Sequence, residues 1–161
     1  MSASAFPKPA LRPMLPTDGP LLAAIFQASI EELTEEDYDE GQRQAWASAA
    51  DDDEAFAQKL GGWLTLIATV QGSPVGFIAL KGADHIEMFY VHPAVARQGV
   101  GTMLYEAIEK LAAGRGAKKL TIDASDTARA FFEMKGFEPR HRQTVAIGDY
   151  WLGNTRMERV I

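Results

Sequence analysis

Apolar side chains recur at helical spacing in the N-terminal part of the chain. The first such stretch follows a proline and predicts an amphipathic helix from Pro20 to Glu32, whose apolar face comprises Leu21, Leu22, Ile25, Phe26 and Ile30. A second helical stretch covers Tyr38 to Ala49, and a third runs from near Asp52 to Gly61. Ahead of them, Leu11 to Leu15 is a candidate short strand that Pro16 ends.

The pattern changes to strands in the middle of the chain. The segment from Trp63 to Val70 is rich in β-formers, and a Gly-Ser-Pro turn leads to a returning strand from Val75 to Lys81. His85 to Val91 is the next strand, which Pro93 ends. Three consecutive strands joined by short turns imply an antiparallel meander.

The last part of the chain contains both helices and strands. The most regular helix repeats apolar residues at i, i+3, i+4 and i+7: Val100, Met103, Leu104, Ala107, Ile108 and Leu111. A strand from Lys119 to Asp123 follows, and Asp126 is the expected N-cap of a helix from Thr127 to Lys135. Thr144 to Ile147 and Arg156 to Val160 are the final strands. The elements predict an α+β fold with a mixed, mostly antiparallel sheet of about six to seven strands and helices on both faces.

The composition is typical of a globular chain with one domain. Of the 161 residues, 47% are hydrophobic and 24% are charged. This length and composition suffice for one hydrophobic core, so we expect a single domain over residues 1–161. The absence of cysteine excludes disulfides, zinc–thiolate sites and a thiol nucleophile. Met1 to Arg12 lacks a signal-peptide pattern, and Leu64 to Val70 is too short to span a bilayer. We therefore expect cytoplasmic residence without a membrane partner.

Negative charge is concentrated in one segment. The formal net charge of −6 argues against a nucleic-acid partner, which needs a clustered positive field. The acidic run comprises Glu31, Glu32, Glu35, Glu36, Asp37, Asp39 and Glu40. Such a run is either a solvated helix end and loop or a rim whose field attracts a cationic acceptor.

A glycine-bearing turn leads from the strand that ends at Val91 into the most regular helix. The first N–H groups of a helix have no partner within it, and the dipole makes this end partly positive. Gly99 and Gly101 let a phosphate approach the backbone, and Arg97 adds a positive charge. The turn therefore indicates an anion site. It lacks the third glycine of the dinucleotide fingerprint and the Gly-Lys-Ser/Thr of a P-loop.

Two motifs resemble signatures of the GNAT N-acetyltransferases. The segment Phe89 to Pro93, followed by Arg97 to Gly101, is similar to the family's acyl-CoA pyrophosphate motif, Arg/Gln-x-x-Gly-x-Gly/Ala. Ala128 to Phe137 is similar to a second signature, Ala-x-x-Phe-Tyr-x-x-x-Gly-Phe. The order of elements agrees over nearly the whole chain. The resemblance implies a GNAT-type αβα fold and an enzyme that uses acetyl-CoA as cosubstrate.

The resemblance also implies how acetyl-CoA is held. The amides of Gln98 to Thr102 hold the pyrophosphate, and the strand ending at Val91 pairs with the pantetheine arm. That strand splays from the strand Lys119 to Asp123, and the acetyl group enters the gap, where the Val91 amide stabilises the oxyanion. The implied contacts are Phe89, Tyr90, Val91, Arg97, Gln98, Gly99, Val100, Gly101, Thr102, Ser125, Phe131 and Phe132.

Three positions depart from the family pattern. Ala96 stands where Arg or Gln is usual, although Arg97 is adjacent, and Ser125 stands where Asn is usual. Phe132 replaces the tyrosine that protonates the leaving thiolate in many members. Phenylalanine has no proton to give, but a thiolate, with a pKa of about 8.5, leaves with little help. The alternative proton donors are Tyr90, Ser125 and Tyr150.

Glu87 is the leading candidate for the general base. An alkylammonium, with a pKa of about 10, must lose a proton before it attacks. Glu87 lies in an otherwise apolar strand that we expect to be buried, where a carboxylate accepts a proton more readily. The alternative is that Glu87 lies on a solvated face or pairs with an arginine. Asp123 is the second candidate base or a plain turn residue, and Tyr90 completes the candidate catalytic set.

The histidines do not indicate a metal site. The three histidines are His85, His92 and His141. Their spacing matches no metal-binding motif, and no carboxylate–histidine pair repeats at helical distance. The sequence therefore predicts no metal cofactor.

The acceptor remains open at this level. The favoured interpretation is direct transfer to a primary amine of a small, cationic molecule, in a pocket formed by Ile30 to Trp46 and a loop from Gly148 to Asn154. One alternative, favoured by Phe132 and Ala96, is an acyl-CoA sensor or partner-binding module with little catalysis. Another is a protein acetyltransferase acting on lysine or an N-terminus. The resemblance also suggests a homodimer, with Arg156 to Val160 pairing across its interface.

Overall fold

The computed structural model describes residues 7–161, so that residues 1–6 of the Met1–Arg12 segment lie outside it. The strands are β1 (Ala10–Pro13), β2 (Leu64–Val70), β3 (Ser73–Lys81), β4 (His85–Val91), β5 (Lys119–Ser125), β6 (Glu138–Ile147) and β7 (Tyr150–Val160). The α-helices of this part of the chain are α1 (Gly19–Leu33), α2 (Glu40–Ala47), α3 (Asp53–Gly61), α4 (Val100–Gly114) and α5 (Arg129–Met134). None of them is long and apolar enough to cross a membrane.

The seven strands form one mixed sheet in the order β1-β2-β3-β4-β5-β7-β6. Neighbouring strands are antiparallel except for the β4–β5 pair, which is parallel. The predicted fold class is confirmed. In β7, Arg156 to Glu158 pair with β5 on one edge and with β6 on the other, so these residues have no free edge for the predicted pairing across a dimer interface. The homodimer itself stays a prediction.

Helices cover both faces of the sheet because side chains alternate along its central strands. Phe77 and Ala79 of β3 belong to the core that includes the buried faces of α1 and α3. Ile78 and Leu80 belong to the second core, with Leu104 and Ile108 of α4. β3 therefore contributes side chains to both cores. So does β4, the strand that carries the predicted site.

Several predicted boundaries need correction. The two final strands begin at Glu138 and Tyr150 rather than at Thr144 and Arg156. The helix after β5 begins at Arg129 rather than Thr127, because the Ala128 N–H donates to Ser125 Oγ and Asp126 instead binds Arg142. The second helix begins after Asp39, whose carboxylate accepts from the Gln42 N–H at 2.8 Å in a capping box. The predicted loop Gly148–Asn154 is mostly strand, since β7 begins at Tyr150.

Asp18 joins β1 to the start of α1 and should make stability depend on acid pH. Its buried carboxylate accepts from Arg12 at 2.7 and 2.8 Å and from the Leu15 N–H at 2.7 Å. The Arg12 hydrogen bonds lower the pKa of Asp18 despite the opposing effect of burial. A lowered folded-state pKa stabilises the fold above the unfolded pKa of about 3.9, and this contribution is lost as pH falls through the folded value.

We expect Asp18→Asn to lower the free energy of unfolding by about 2 kcal/mol at pH 7 and by much less at pH 2. Urea denaturation at the two pH values measures the difference. Asp149→Asn, at an exposed turn position, is the matched control and should change neither value. An equal loss for Asp18→Asn at both pH values would rule out the ionic contribution.

Candidate active site

The sheet opens between β4 and β5. Within residues 7–161, the two strands pair only at His85–Thr121 and Ile86–Ile122. On the other edge of β4, Leu80 pairs with Ile86 and Ala79 pairs with Met88, so that Glu87 is the extra residue of a β-bulge. A bulge bends its strand and re-aims the bulged side chain. The bulge therefore accounts for the gap, which begins directly after Ile86.

Backbone groups of β4 face this gap. The His92 N–H donates to the Val75 carbonyl at 2.8 Å, on the β3 side. Because backbone groups alternate in direction along an antiparallel strand, the N–H and C=O groups of Val91 and Phe89 point away from β3 and toward the gap. An extended ligand chain that entered the gap would meet both residues as hydrogen-bond partners.

A cavity of about 360 Å³ occupies the gap. Its walls come from four parts of the chain: residues 87–90 of β4, residues 122–125 of β5 with Ala128 and Phe132, the aromatic residues Phe26, Tyr38 and Trp46, and the β6–β7 residues Val145, Ile147, Leu152, Gly153 and Asn154. The cavity thus joins the segment expected to hold acetyl-CoA to the predicted acceptor side.

The N-terminus of α4 leaves its backbone amides accessible to a ligand. Its N-cap is Gly99, at φ 85°, and no described side chain caps the first turn. Arg97 also adopts a positive φ, of 62°, and Arg97, Gln98 and Gly99 are exposed. Gly101 lies against Phe89, whose ring carbon Cζ would be 3.2 Å from an added Cβ. Free amides at a helix N-terminus beside an arginine favour the binding of an anion.

Glu87 lines the cavity beside a histidine that the sequence did not connect with it. Its Oε2 lies 3.4 Å from Nε2 of His85, and the Glu87 side chain is 31% exposed. The expected burial of Glu87 is therefore wrong, because β5 leaves β4 at this position. His85 Nδ1 lies 2.8 Å from Thr121 Oγ1. The spacing of His85 and Glu87, two residues apart on one strand, was the available signal.

Asp123 is held by partners on the neighbouring strands. Arg156 Nη2 donates to its Oδ2 at 3.0 Å, and Gln143 Nε2 donates to its Oδ1 at 2.8 Å. Burial is the largest influence on this carboxyl and raises its pKa, but the hydrogen bonds and charge of Arg156, with Gln143 and His85, outweigh it and set the pKa of Asp123 below its ordinary value. A carboxylate held in this way is a weak base, which favours Glu87.

Tyr90 belongs to the aromatic wall on the α1 side. Its ring lies 4.7 Å from Phe26 and 5.7 Å from Phe77, between ring centroids. Burial raises the pKa of Tyr90. The phenol therefore stays protonated near neutral pH, as a hydrogen-bond donor. Tyr150, another candidate proton donor, does not line the cavity.

Comparison with known proteins identifies the family. The family model of the acetyltransferase (GNAT) domain matches residues 32–154. The chain belongs to the GNAT family. It is 55% identical to a GCN5-related N-acetyltransferase from Rhodopseudomonas palustris, whose crystal structure superimposes with a TM-score of 0.94 over 99% of this chain and 100% of that one.

Curated GNAT relatives are N-acetyltransferases as well. The chain is 32% identical over 147 residues to the uncharacterized N-acetyltransferase YafP of Escherichia coli, covering 91% of this chain and 93% of YafP. It is 34% identical over 85 residues to the peptidyl-lysine N-acetyltransferase YjaB of Salmonella typhimurium, covering 51% of this chain and 54% of YjaB. The chain is thus a GNAT N-acetyltransferase by family.

The second GNAT signature forms an aromatic cluster beside the gap. Phe132 is fully buried and also contributes to the cavity wall. Its ring centroid lies 5.2 Å from Phe131, 5.2 Å from Phe137 and 5.6 Å from Phe89. Ser125 lines the same wall, and its Oγ accepts from the Ala128 N–H at 3.1 Å. Phe132 therefore shapes the wall of this GNAT domain without supplying a proton.

The acidic run lies outside the cavity wall. All seven of its carboxylate residues are exposed, and none lines the cavity. Asp39 caps α2, and Asp37 accepts from Thr127 Oγ1 at 2.7 Å. Tyr38, within the same segment, does reach the cavity and donates to the Gly153 carbonyl at 2.6 Å. The solvated-face interpretation of the carboxylates fits this placement.

Proposed function

We propose that this chain transfers the acetyl group of acetyl-CoA directly to a primary amine of a small molecule. One observation carries the proposal. At the gap between β4 and β5, Glu87 and the exposed edge of β4 line one cavity. The N-terminus of α4, the proposed anion site, follows β4 closely along the chain. Acetyl-CoA supplies the acetyl group as a thioester. Family membership supports this choice of donor.

The residues present fit acetyl-CoA. The first turn of α4 offers uncapped amides for a pyrophosphate, and Arg97 stands beside them. The gap-facing groups of Phe89 and Val91 match the amide groups of an extended pantetheine arm. The Val91 N–H is the candidate donor to the carbonyl oxygen that becomes negative as the amine attacks.

Glu87 is the proposed acceptor of the amine proton. Its exposed fraction gives the proton a route to solvent, and His85 Nε2 at 3.4 Å orients the carboxylate. The released thiolate needs little assistance, since its pKa is about 8.5. A tyrosine at position 132 is therefore not needed to protonate the thiolate. The protonated Tyr90 phenol belongs to the acceptor wall.

Calorimetric titration with acetyl-CoA tests the donor site. We expect Gly101→Val to weaken binding by about tenfold or more, because the added Cβ would push against Phe89 on the strand that receives the pantetheine arm. Gly114→Val, at the other end of α4, is the matched control, because a Cβ there meets nothing within 4 Å. Equal affinities for both variants, or no binding by wild type, would contradict the proposed donor site.

Two other functions have support. Phe132 and Ala96 favour an acyl-CoA sensor, which would bind acetyl-CoA without turning over any amine. The similarity to the peptidyl-lysine acetyltransferase YjaB favours a lysine side chain as acceptor. Thiol release with a lysine-containing peptide, compared with free small amines, distinguishes the protein acceptor from the small-molecule acceptor.

A further inference from the structure

The acceptor half of the cavity contains a buried polar atom without a partner. Asn154 of β7 lines the cavity, and its side-chain oxygen Oδ1 is buried with no hydrogen-bond partner within residues 7–161. On the sheet, Asn154 pairs with Ser125 on one side and with Gln143 on the other. A buried carbonyl oxygen normally has a donor. A rotation of the Asn154 side chain that brings this oxygen to the cavity surface would let a ligand N–H supply one.

The charge of the cavity wall suits one ammonium group. Two carboxylate residues line the cavity, Glu87 and Asp123. Asp123 is neutralised by Arg156, whose Nη2 lies 3.0 Å from its Oδ2. Glu87 is paired with no lysine or arginine in the described part of the chain. One carboxylate therefore remains to attract a cation.

The rest of the acceptor wall is mostly apolar and carries no carboxylate. It consists of Phe26, Tyr38, Trp46, Tyr90, Val145, Ile147 and Leu152, of which the two tyrosines bear hydroxyls. Trp46 and Tyr90 meet edge to face, with ring centroids 6.3 Å apart, and Val145 continues the apolar surface outward with 39% exposure. A second ammonium group against this wall would lose its hydration and would meet hydroxyls and aromatic faces but no carboxylate to compensate for it.

We infer that the acceptor is a primary amine with one positive charge and an apolar tail. Its nitrogen lies between the Glu87 carboxylate and Asn154 Oδ1, and its tail packs against Trp46, Leu152 and Ile147. The inference rests on the proposed function and narrows it: among the cationic acceptors that the sequence suggested, the acceptor class is a hydrophobic monoamine. Asn154 determines specificity by accepting an N–H of the amine.

Two amines of equal length test the inference. Hexylamine and 1,6-diaminohexane differ only in the second ammonium group, so that their kcat/KM ratio in a thiol-release assay reports the cost of that charge. We expect wild type to favour hexylamine by about tenfold or more. Equal use of the two amines or a preference for the diamine would overturn the inference and leave the proposed function standing. Turnover with a lysine peptide alone would overturn both the inference and the small-molecule acceptor. No turnover with any amine would overturn the proposed function itself.

Variants then assign the roles of single residues. Asn154→Leu removes the acceptor atom at similar size and should raise KM for hexylamine by about tenfold with kcat nearly unchanged. Val145→Glu places a carboxylate on the apolar rim and should raise kcat/KM for the diamine relative to hexylamine, whereas the matched neutral variant Val145→Gln should not. Val145 is exposed enough for both variants to fold. An unchanged KM for Asn154→Leu, or equal effects of Val145→Glu and Val145→Gln, would contradict the assigned contacts.

Discussion

Glu87→Gln is expected to lower kcat/KM for amine acetylation by about 100-fold at pH 7 while leaving the Kd of acetyl-CoA unchanged. Glutamine keeps the size and the hydrogen-bonding capacity of the side chain, but it cannot take the proton that an alkylammonium must lose. As pH approaches about 10, the amine loses this proton to solvent and the deficit should shrink. Thiol-release assays across this pH range measure the ratio of wild type to variant.

The pH dependence separates catalysis from positioning. If Glu87 only orients the amine, the deficit of Glu87→Gln stays the same at every pH. If Glu87 only attracts the ammonium, the deficit lies in KM and kcat at saturating amine is unchanged. If Glu87 is not used, there is no deficit. Glu106→Gln, at an exposed position in α4, is the control and should behave as wild type throughout. A constant deficit or none would exclude Glu87 as the general base.

Phe132→Ala is expected to lower the free energy of unfolding by about 3–5 kcal/mol. Phe132 is fully buried, and its ring meets Phe89, Tyr105, Phe131 and Phe137, so that truncation leaves a cavity between α5 and the sheet. Urea denaturation measures the change. Met134→Ala, in the same helix but 85% exposed, should change it by less than about 0.5 kcal/mol.

A loss below about 1 kcal/mol for Phe132→Ala would show that the surrounding rings close over the cavity and that the aromatic cluster is loosely packed. A loss within the expected range supports the role of Phe132 as a structural wall of the site. This role explains how the position can do without the hydroxyl that the family usually has there.

The helices and the central strands were predictable because burial imposes a period on their sequences. The expected helix Pro20–Glu32 is α1 to within one residue at each end, and His85–Val91 is β4. β6 was mostly missed for the opposite reason. Eight of its ten residues are exposed, so that no alternation of apolar and polar positions marks it. Its pairing with β7 defines it as a strand, and this pairing with a partner strand cannot be predicted from the local sequence of β6.

The site was predictable where it depends on a contiguous motif. The turn into α4 has the expected glycines, and the gap between β4 and β5 has the expected place. The surroundings of Glu87 were not predictable, because a bulge and the departure of β5 determine its exposure. Asn154 meets the cavity only through its register with Ser125 and Gln143 on neighbouring strands.

The most direct test of the central claim is amine-dependent thiol release from acetyl-CoA by the wild-type chain, with the acetylated product identified by mass spectrometry. The structure predicts that hexylamine yields free CoA and N-acetylhexylamine in equal amounts. Binding of acetyl-CoA without thiol release from any amine, including a lysine peptide, would contradict the claim and favour a sensor.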